Sequence, residues 1–309
     1  YYGAGAFGLN WDENRYRLTF APGHAGQPAP LVGTDPPLPG LVFENRVLTG
    51  PVGSGDNAYI YGAPFSPFRY LGGTVPAGVR TFTIKGSLPD PAAVLGRQWL
   101  TALGARGIQV DSLRPRTHNA PPAAPRTTLH VHYSPPLRAI VRELNLHSVN
   151  LYAEALLKSV GRAEQAGGTT AAGLQILRRV WRERGLDLSR GYRQKDGSGL
   201  STGNLLTAGL LADLCVQMAQ EESFGAFKAS LPVAGESGTL RNVGRRTAAA
   251  GNVRAKSGTL GGVICYAGYA TTRSGEPLAF AVMVNHYEGG YRRMRARWER
   301  LMVQLAELP

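Results

Sequence analysis

Apolar positions in the first part of the chain alternate instead of recurring every three or four residues. Arg15-Tyr16-Arg17-Leu18-Thr19-Phe20 and Arg80-Thr81-Phe82-Thr83-Ile84-Lys85 each put their apolar side chains on one face of an extended segment. Leu41-Val42-Phe43 and Tyr59-Ile60-Tyr61 give shorter strand signals, and Gly/Pro turns separate all of these runs. Residues 4–20 read as strand, turn and strand. Residues 1–89 therefore predict a β-rich module.

The period changes at Asp90. Asp90 followed by Pro91 is a helix start, with Val94, Leu95, Trp99, Leu100 and Leu103 on one side. A Pro-rich linker is expected near 120–125, then a strand over 127–133. Helical patterns cover 136–145, 151–163, 170–184, 203–220 and 222–230. Strand runs follow at 252–257, 262–271 and 278–285. Tyr291, Met294, Trp298, Leu301 and Leu305 then predict a closing amphipathic helix. Trp99, Trp181 and Trp298 fall at helical spacing and are expected in the core, whereas Trp11 suits a surface position. Helices, then strands, then a covering helix make residues 90–309 an α+β region.

Length and composition narrow this picture. The chain has 309 residues, 43% of them hydrophobic, enough for two domains or one domain with an insertion. No apolar run approaches the ~18–20 residues of a membrane-spanning helix. The chain opens on Tyr1, already in patterned sequence, so further residues upstream are expected, any export signal among them. The net charge is +13, with Arg far more frequent than Lys. These cations are spread along the chain. The densest group, Arg292, Arg293, Arg295, Arg297 and Arg300, reads as a solvated helix face, with a polyanion site as the alternative. No nucleic-acid partner is expected. Cys215 and Cys265 lie in apolar runs without metal or redox spacing and read as free, packed thiols. His130 and His132 could share a strand face, but no third or fourth ligand stands near them, so no metal or cofactor is expected.

Two tripeptides carry candidate chemistry. Lys256-Ser257-Gly258, with Thr259 after it, ends one strand run just before Gly261-Gly262 and the next strand. A cation, a hydroxyl donor and a residue without a side chain at a strand edge suit a bound anion. The same run also reads as an ordinary turn. Ser148-Val149-Asn150 lies between two helical patterns, and by itself it reads as a helix cap.

Their order is more specific, as are the stretches between them. Asn150-Leu151-Tyr152-Ala153-Glu154-Ala155-Leu156-Leu157 resembles the segment just after the second motif of the serine D-alanyl-D-alanine carboxypeptidase/endopeptidases, the class C low-molecular-mass penicillin-binding proteins. Asp196-Gly197-Ser198-Gly199-Leu200-Ser201 and Leu231-Pro232-Val233-Ala234-Gly235-Glu236-Ser237-Gly238-Thr239-Leu240 are similar to later segments of that family, as is the strand pair from Lys256 to Ala270. Together these matches cover most of residues 130–290. The resemblance implies a β-lactamase/DD-peptidase-like transpeptidase domain, incomplete in this chain and preceded by part of an inserted β-rich domain. It implies an acyl-enzyme hydrolase of D-Ala-D-Ala termini or cross-links, with peptidoglycan peptides and β-lactam antibiotics as ligands and a periplasmic or extracytoplasmic location.

The resemblance also implies roles by position. Ser148 would pass a proton toward the leaving amine. Asn150 would bind the substrate amide, and Lys256 would supply positive potential. Ser257, standing where the family usually has Thr, keeps the hydroxyl that meets the terminal carboxylate, with Gly258 leaving room beside it. The Thr259 N–H would be one oxyanion-hole donor. The 196–201 segment reads as a turn bordering the cleft, and His147 and His286 read as bystanders. One departure stands out: no Ser has a Lys three residues after it. The family's nucleophile and its activating lysine are therefore expected on a segment preceding Tyr1, and this chain alone is expected to be inactive. Two alternatives stay open, a non-catalytic relative that binds cell-wall peptides and a basic polymer-binding protein.

Overall fold

The computed structural model describes residues 3–111, 127–164, 167–189 and 191–309. Two compact units emerge, Tyr1–Leu129 and His130–Pro309. The Pro-rich linker expected near 120–125 lies outside the described residues.

The first unit carries β1 (Arg15–Phe20), β2 (Leu31–Asp35), β3 (Val42–Asn45), β4 (Leu48–Gly50), β5 (Asn57–Tyr61), β6 (Phe68–Pro76) and β7 (Phe82–Ser87). β1 is flanked by β2 and β7, both antiparallel. β3 and β4 run parallel to successive parts of β6, and β5 pairs β6 antiparallel. Alternation on β1 buries Tyr16, Leu18 and Phe20 against Val47, Leu71, Val75 and Ile84. Two expectations change here. Residues 4–14 form no strand; they end in a 3-10 turn at Asp12–Asn14, where Asn14 is wholly buried and its Nδ2 donates to the Gly5 carbonyl. β6 left little trace in the pattern because Gly72 and Gly73 interrupt it. A side chain at Gly73 would strike the Asn57 carbonyl, so the close strand pairing requires that glycine.

Helix α1 (Pro91–Gly104) starts as its sequence predicts, with the Asp90 side chain accepting from the Ala93 N–H. α1 buries Val94 in the first unit's core, so the compact unit runs past residue 89. Trp99, expected inside, is 63% exposed. Residues 127–133 are not strand either, and Leu129 and Tyr133 are exposed. The alternation there is real, but among the described residues no neighbouring strand satisfies its backbone.

The second unit opens with α2 (Leu137–His147), α3 (Asn150–Ala163), α4 (Thr170–Glu183), α5 (Ala208–Ala219) and α6 (Phe224–Ser230). The antiparallel sheet β8 (Arg254–Leu260), β9 (Val263–Thr271) and β10 (Pro277–Asn285), in the order β10-β9-β8, and α7 (Tyr291–Glu307) complete it. α5 begins five residues later than the periodicity suggested, because Thr207 caps it by accepting from Leu210 N–H. α3 and α4 approach closely at glycines: a side chain on Gly173 would overlap the Leu157 carbonyl. β9 alternates cleanly. Ile264, Tyr266 and Ala270 join a core with Phe280 and α7's Met294, Trp298 and Met302. Ala267 and Tyr269 face Cys215 and Phe224 on the helical side. Both cysteines are free. No helix among the described residues is long and apolar enough to cross a membrane.

Candidate active site

α2 and α3 are separated by two residues. Ser148 ends α2 in the left-handed region, at φ 55° and ψ 51°, and Val149 precedes α3 in extended conformation. A non-glycine residue there costs roughly 1–2 kcal/mol, which the packing of the two helices must offset. The break does more than cap a helix, because it turns the Ser148 side chain toward β8.

Lys256 comes from the middle of β8, opposite Ala267 on β9. Its Nζ donates to Ser148 Oγ at 2.8 Å, joining residues 108 apart in sequence, and to the Ser257 carbonyl at 2.6 Å. Both acceptors are neutral. Burial therefore penalises the ammonium without a carboxylate to offset it, and pushes the lysine down to about 8. Since the ammonium occupies a lone pair of Ser148, that hydroxyl's own proton is left to point elsewhere.

These groups border a cleft of about 470 Å³ within the second unit. Ser148, Asn150, Lys256, Ser257 and Gly258 all line it; Thr259 is exposed further along β8 and does not. Much of the remaining wall is apolar, from Leu177, Trp181, Leu206, Leu210 and Leu214. The 196–201 turn forms another side, with Asp196, Gly197, Ser198 and Gly199 on the lining. It is wired at both ends. Asp196 accepts from Gly199 N–H, Ser201 N–H and Asn204 Nδ2 at 2.6–2.9 Å. Glu154, one helical turn beyond Asn150, accepts from Gly197 and Ser198 N–H at 3.0 and 2.9 Å. A side chain at Gly197 would press on the Ala153 carbonyl, so the turn lies directly on α3.

Some participants were not singled out by the sequence. Asn145 is buried on α2, lines the cleft and donates to Ser230 Oγ at 2.7 Å. Thr239, in the 3-10 turn Gly238–Leu240, accepts from Ser257 Oγ–H at 2.8 Å. Glu154 sits inside the family-like stretch 150–157, and its four-residue spacing from Asn150 was the available clue. His130 and His132 are exposed, and among the described residues no cluster of three or more His, Cys, Asp or Glu could hold a metal. His147 is exposed beside Glu143, at 3.5 Å.

The D-Ala-D-Ala carboxypeptidase 3 (S13) family model matches residues 1–305. The chain belongs to that family. A D-alanyl-D-alanine carboxypeptidase of Actinomadura sp. is 33% identical to this S13 chain over 290 residues, covering 92% of the chain and 53% of that protein. Carboxypeptidase DacB of Mycolicibacterium smegmatis is 35% identical over 250 residues, covering 75% of the chain and 50% of that protein. The S13 chain thus spans about half the length of these relatives. Penicillin binding protein 4 (dacB) of Haemophilus influenzae, solved in complex with a β-lactam, superposes with a TM-score of 0.79 at 21% identity, over 99% of this chain and 72% of that one. That likeness establishes the shared α+β DD-peptidase fold.

Proposed function

We propose that this chain supplies the proton-transfer and substrate-recognition part of a penicillin-sensitive serine DD-carboxypeptidase or DD-endopeptidase, acting on peptidoglycan peptides outside the cytoplasm. The observation that carries the reading is the 2.8 Å hydrogen bond from Lys256 to Ser148 at the edge of the cleft. In acyl transfer a serine oxygen bonds to the penultimate D-Ala carbonyl carbon, the C–N bond breaks, and the departing D-Ala amine takes a proton. Ser148 delivers its hydroxyl proton to that amine and takes one in return from the Lys256 ammonium that donates to its oxygen. The attacking serine's own proton passes to the activating lysine of the Ser-x-x-Lys segment. Lys256 adds positive potential beside the substrate carboxylate, Ser257 a hydroxyl donor, and Gly258 space. Asn150 orients the substrate amide, and the Thr259 N–H serves the developing oxyanion.

The nucleophile is assigned outside this sequence, since no Ser-x-x-Lys occurs in it. Residues 130–309 would then carry the penicillin-binding domain, and residues 1–89, with α1 packed on them, an inserted β-rich domain. Fluorescent penicillin with intact mass measurement tests this. The complete protein should gain one covalent label, and the 309-residue chain alone should gain none. An unlabelled complete protein would favour the other reading that the missing motif allows, a non-catalytic relative that holds cell-wall peptides.

A further inference from the structure

We infer that Thr239 is a positioning and specificity-determining residue, whose hydroxyl orients Ser257 for a substrate carboxylate. The inference rests on the proposed function and adds a residue to its site. Ser257 Oγ–H donates to Thr239 Oγ1 at 2.8 Å, 18 residues away in sequence. Ser257 follows Lys256 on β8, the edge strand of its sheet, and Thr239 meets it from the 3-10 turn Gly238–Leu240.

The turn that carries Thr239 is rigidly held. Leu240 is wholly buried in the second unit's core, and its carbonyl accepts from Gly235 and Val243 N–H at 3.1 and 2.9 Å. Gly238 has φ +55°, and a side chain there would sit 2.7 Å from the Leu146 carbonyl, so the turn is pressed onto the end of α2 that leads into Ser148. The chain just before the turn is stitched to β8 by Ala255 N–H to the Pro232 carbonyl, at 3.0 Å. One 3-10 turn therefore sets the spacing between the helix end bearing Ser148 and the strand bearing Lys256 and Ser257.

A serine at 257 needs this help. Serine has no γ-methyl, so its χ1 is unrestrained, whereas a β-branched residue would hold its own rotamer. Thr239 supplies the missing restraint through its oxygen. In the ligand-free arrangement Ser257 points its proton at Thr239. When a carboxylate arrives the pair reverses: Thr239 donates to Ser257, and Ser257 donates to the carboxylate. The two hydroxyls polarise one another in that order, next to the ammonium.

The test uses the complete protein and acylation rates with benzylpenicillin and its methyl ester, which lacks the free carboxylate. Thr239→Val should slow acylation by the acid about fivefold, the worth of one neutral hydrogen bond, and leave the ester within about twofold. Thr239→Ser should recover most of the rate with the acid. Adding Ser257→Thr to the Thr239→Val variant should also recover it, since a β-branched residue restrains itself. Thr239→Val acylating like the parent would overturn the inference. So would equal losses on acid and ester without rescue by Ser257→Thr, because that pattern belongs to general structural damage. Failure of the parent protein to acylate at all would instead overturn the proposed function beneath it.

Discussion

The two faces of the β8–β10 sheet use the same alternating strand for opposite purposes. On the α7 side, Ile264, Tyr266, Phe280, Trp298 and Met302 close into a continuous core, and the Tyr266 and Trp298 rings meet edge-on at 5.9 Å. On the other side, Tyr269 packs on α5 and α6 at one end, while Lys256, Gly258, Cys265 and Ala267 border a cleft at the other. The register is continuous across both. The difference lies in what covers each face, one long amphipathic helix together with buried residues of the 234–253 segment on one, and a set of shorter helices and turns on the other. A sheet face that is fully covered stores stability. A face left partly open can hold a buried cation and a ligand at once.

Trp298→Ala breaks the closed face and should have the largest effect, about 3–5 kcal/mol of unfolding free energy, read by urea denaturation. A loss below about 1 kcal/mol would mean the two faces are not different in kind. Lys256→Ala strikes the open face. Penicillin acylation of the complete protein should fall roughly a hundredfold or more, while the urea midpoint stays near the parent's. Near-normal labelling would remove Lys256 from its assigned role.

The buried lysine also sharpens the comparison through pH. Its folded value, about 8, lies below the ordinary 10.5, so the unfolded chain binds more protons than the folded one between those values. Stability should therefore rise from pH 8 to about 10.5. Lys256→Met, which has no such proton, should be more stable than the parent at pH 7, by on the order of 2 kcal/mol, and lose that advantage by pH 10.5. A constant difference between the two proteins across the range would show that the lysine is not desolvated. The smallest effect belongs to the rim. Glu154→Gln weakens the two N–H contacts that hold the 196–201 turn and should cost about 1 kcal/mol, with penicillin acylation a few-fold slower. Unchanged acylation would detach the turn from the site.

Local signals were reliable where a residue acts on its own segment. Asp90 caps α1, Thr19 and its neighbours alternate through β1, and Met294, Trp298 and Leu301 mark the buried stripe of α7. They failed where the outcome depended on a partner. Residues 127–133 alternate without a strand to pair, Trp99 lies on the apolar side of α1 but stays exposed, and Gly72 and Gly73 hide the longest strand of the first unit. The site divides in the same way. Ser148, Asn150 and Lys256 could be singled out from motif order, whereas Thr239 and Asn145 could not, because a hydroxyl or amide acquires its meaning from its contacts.

By itself, then, the amino-acid order determined the α+β layering, most of the strand and helix periods, and the set of polar residues available to the cleft. Those depend on contacts within a few residues, or on motifs that keep their order along the chain. Only the tertiary structure decided that a left-handed Ser148 meets a desolvated Lys256 and that Thr239 meets Ser257. Each of those pairs joins segments distant in the chain, and their distances are set by the packing of helices and turns against one edge of a sheet.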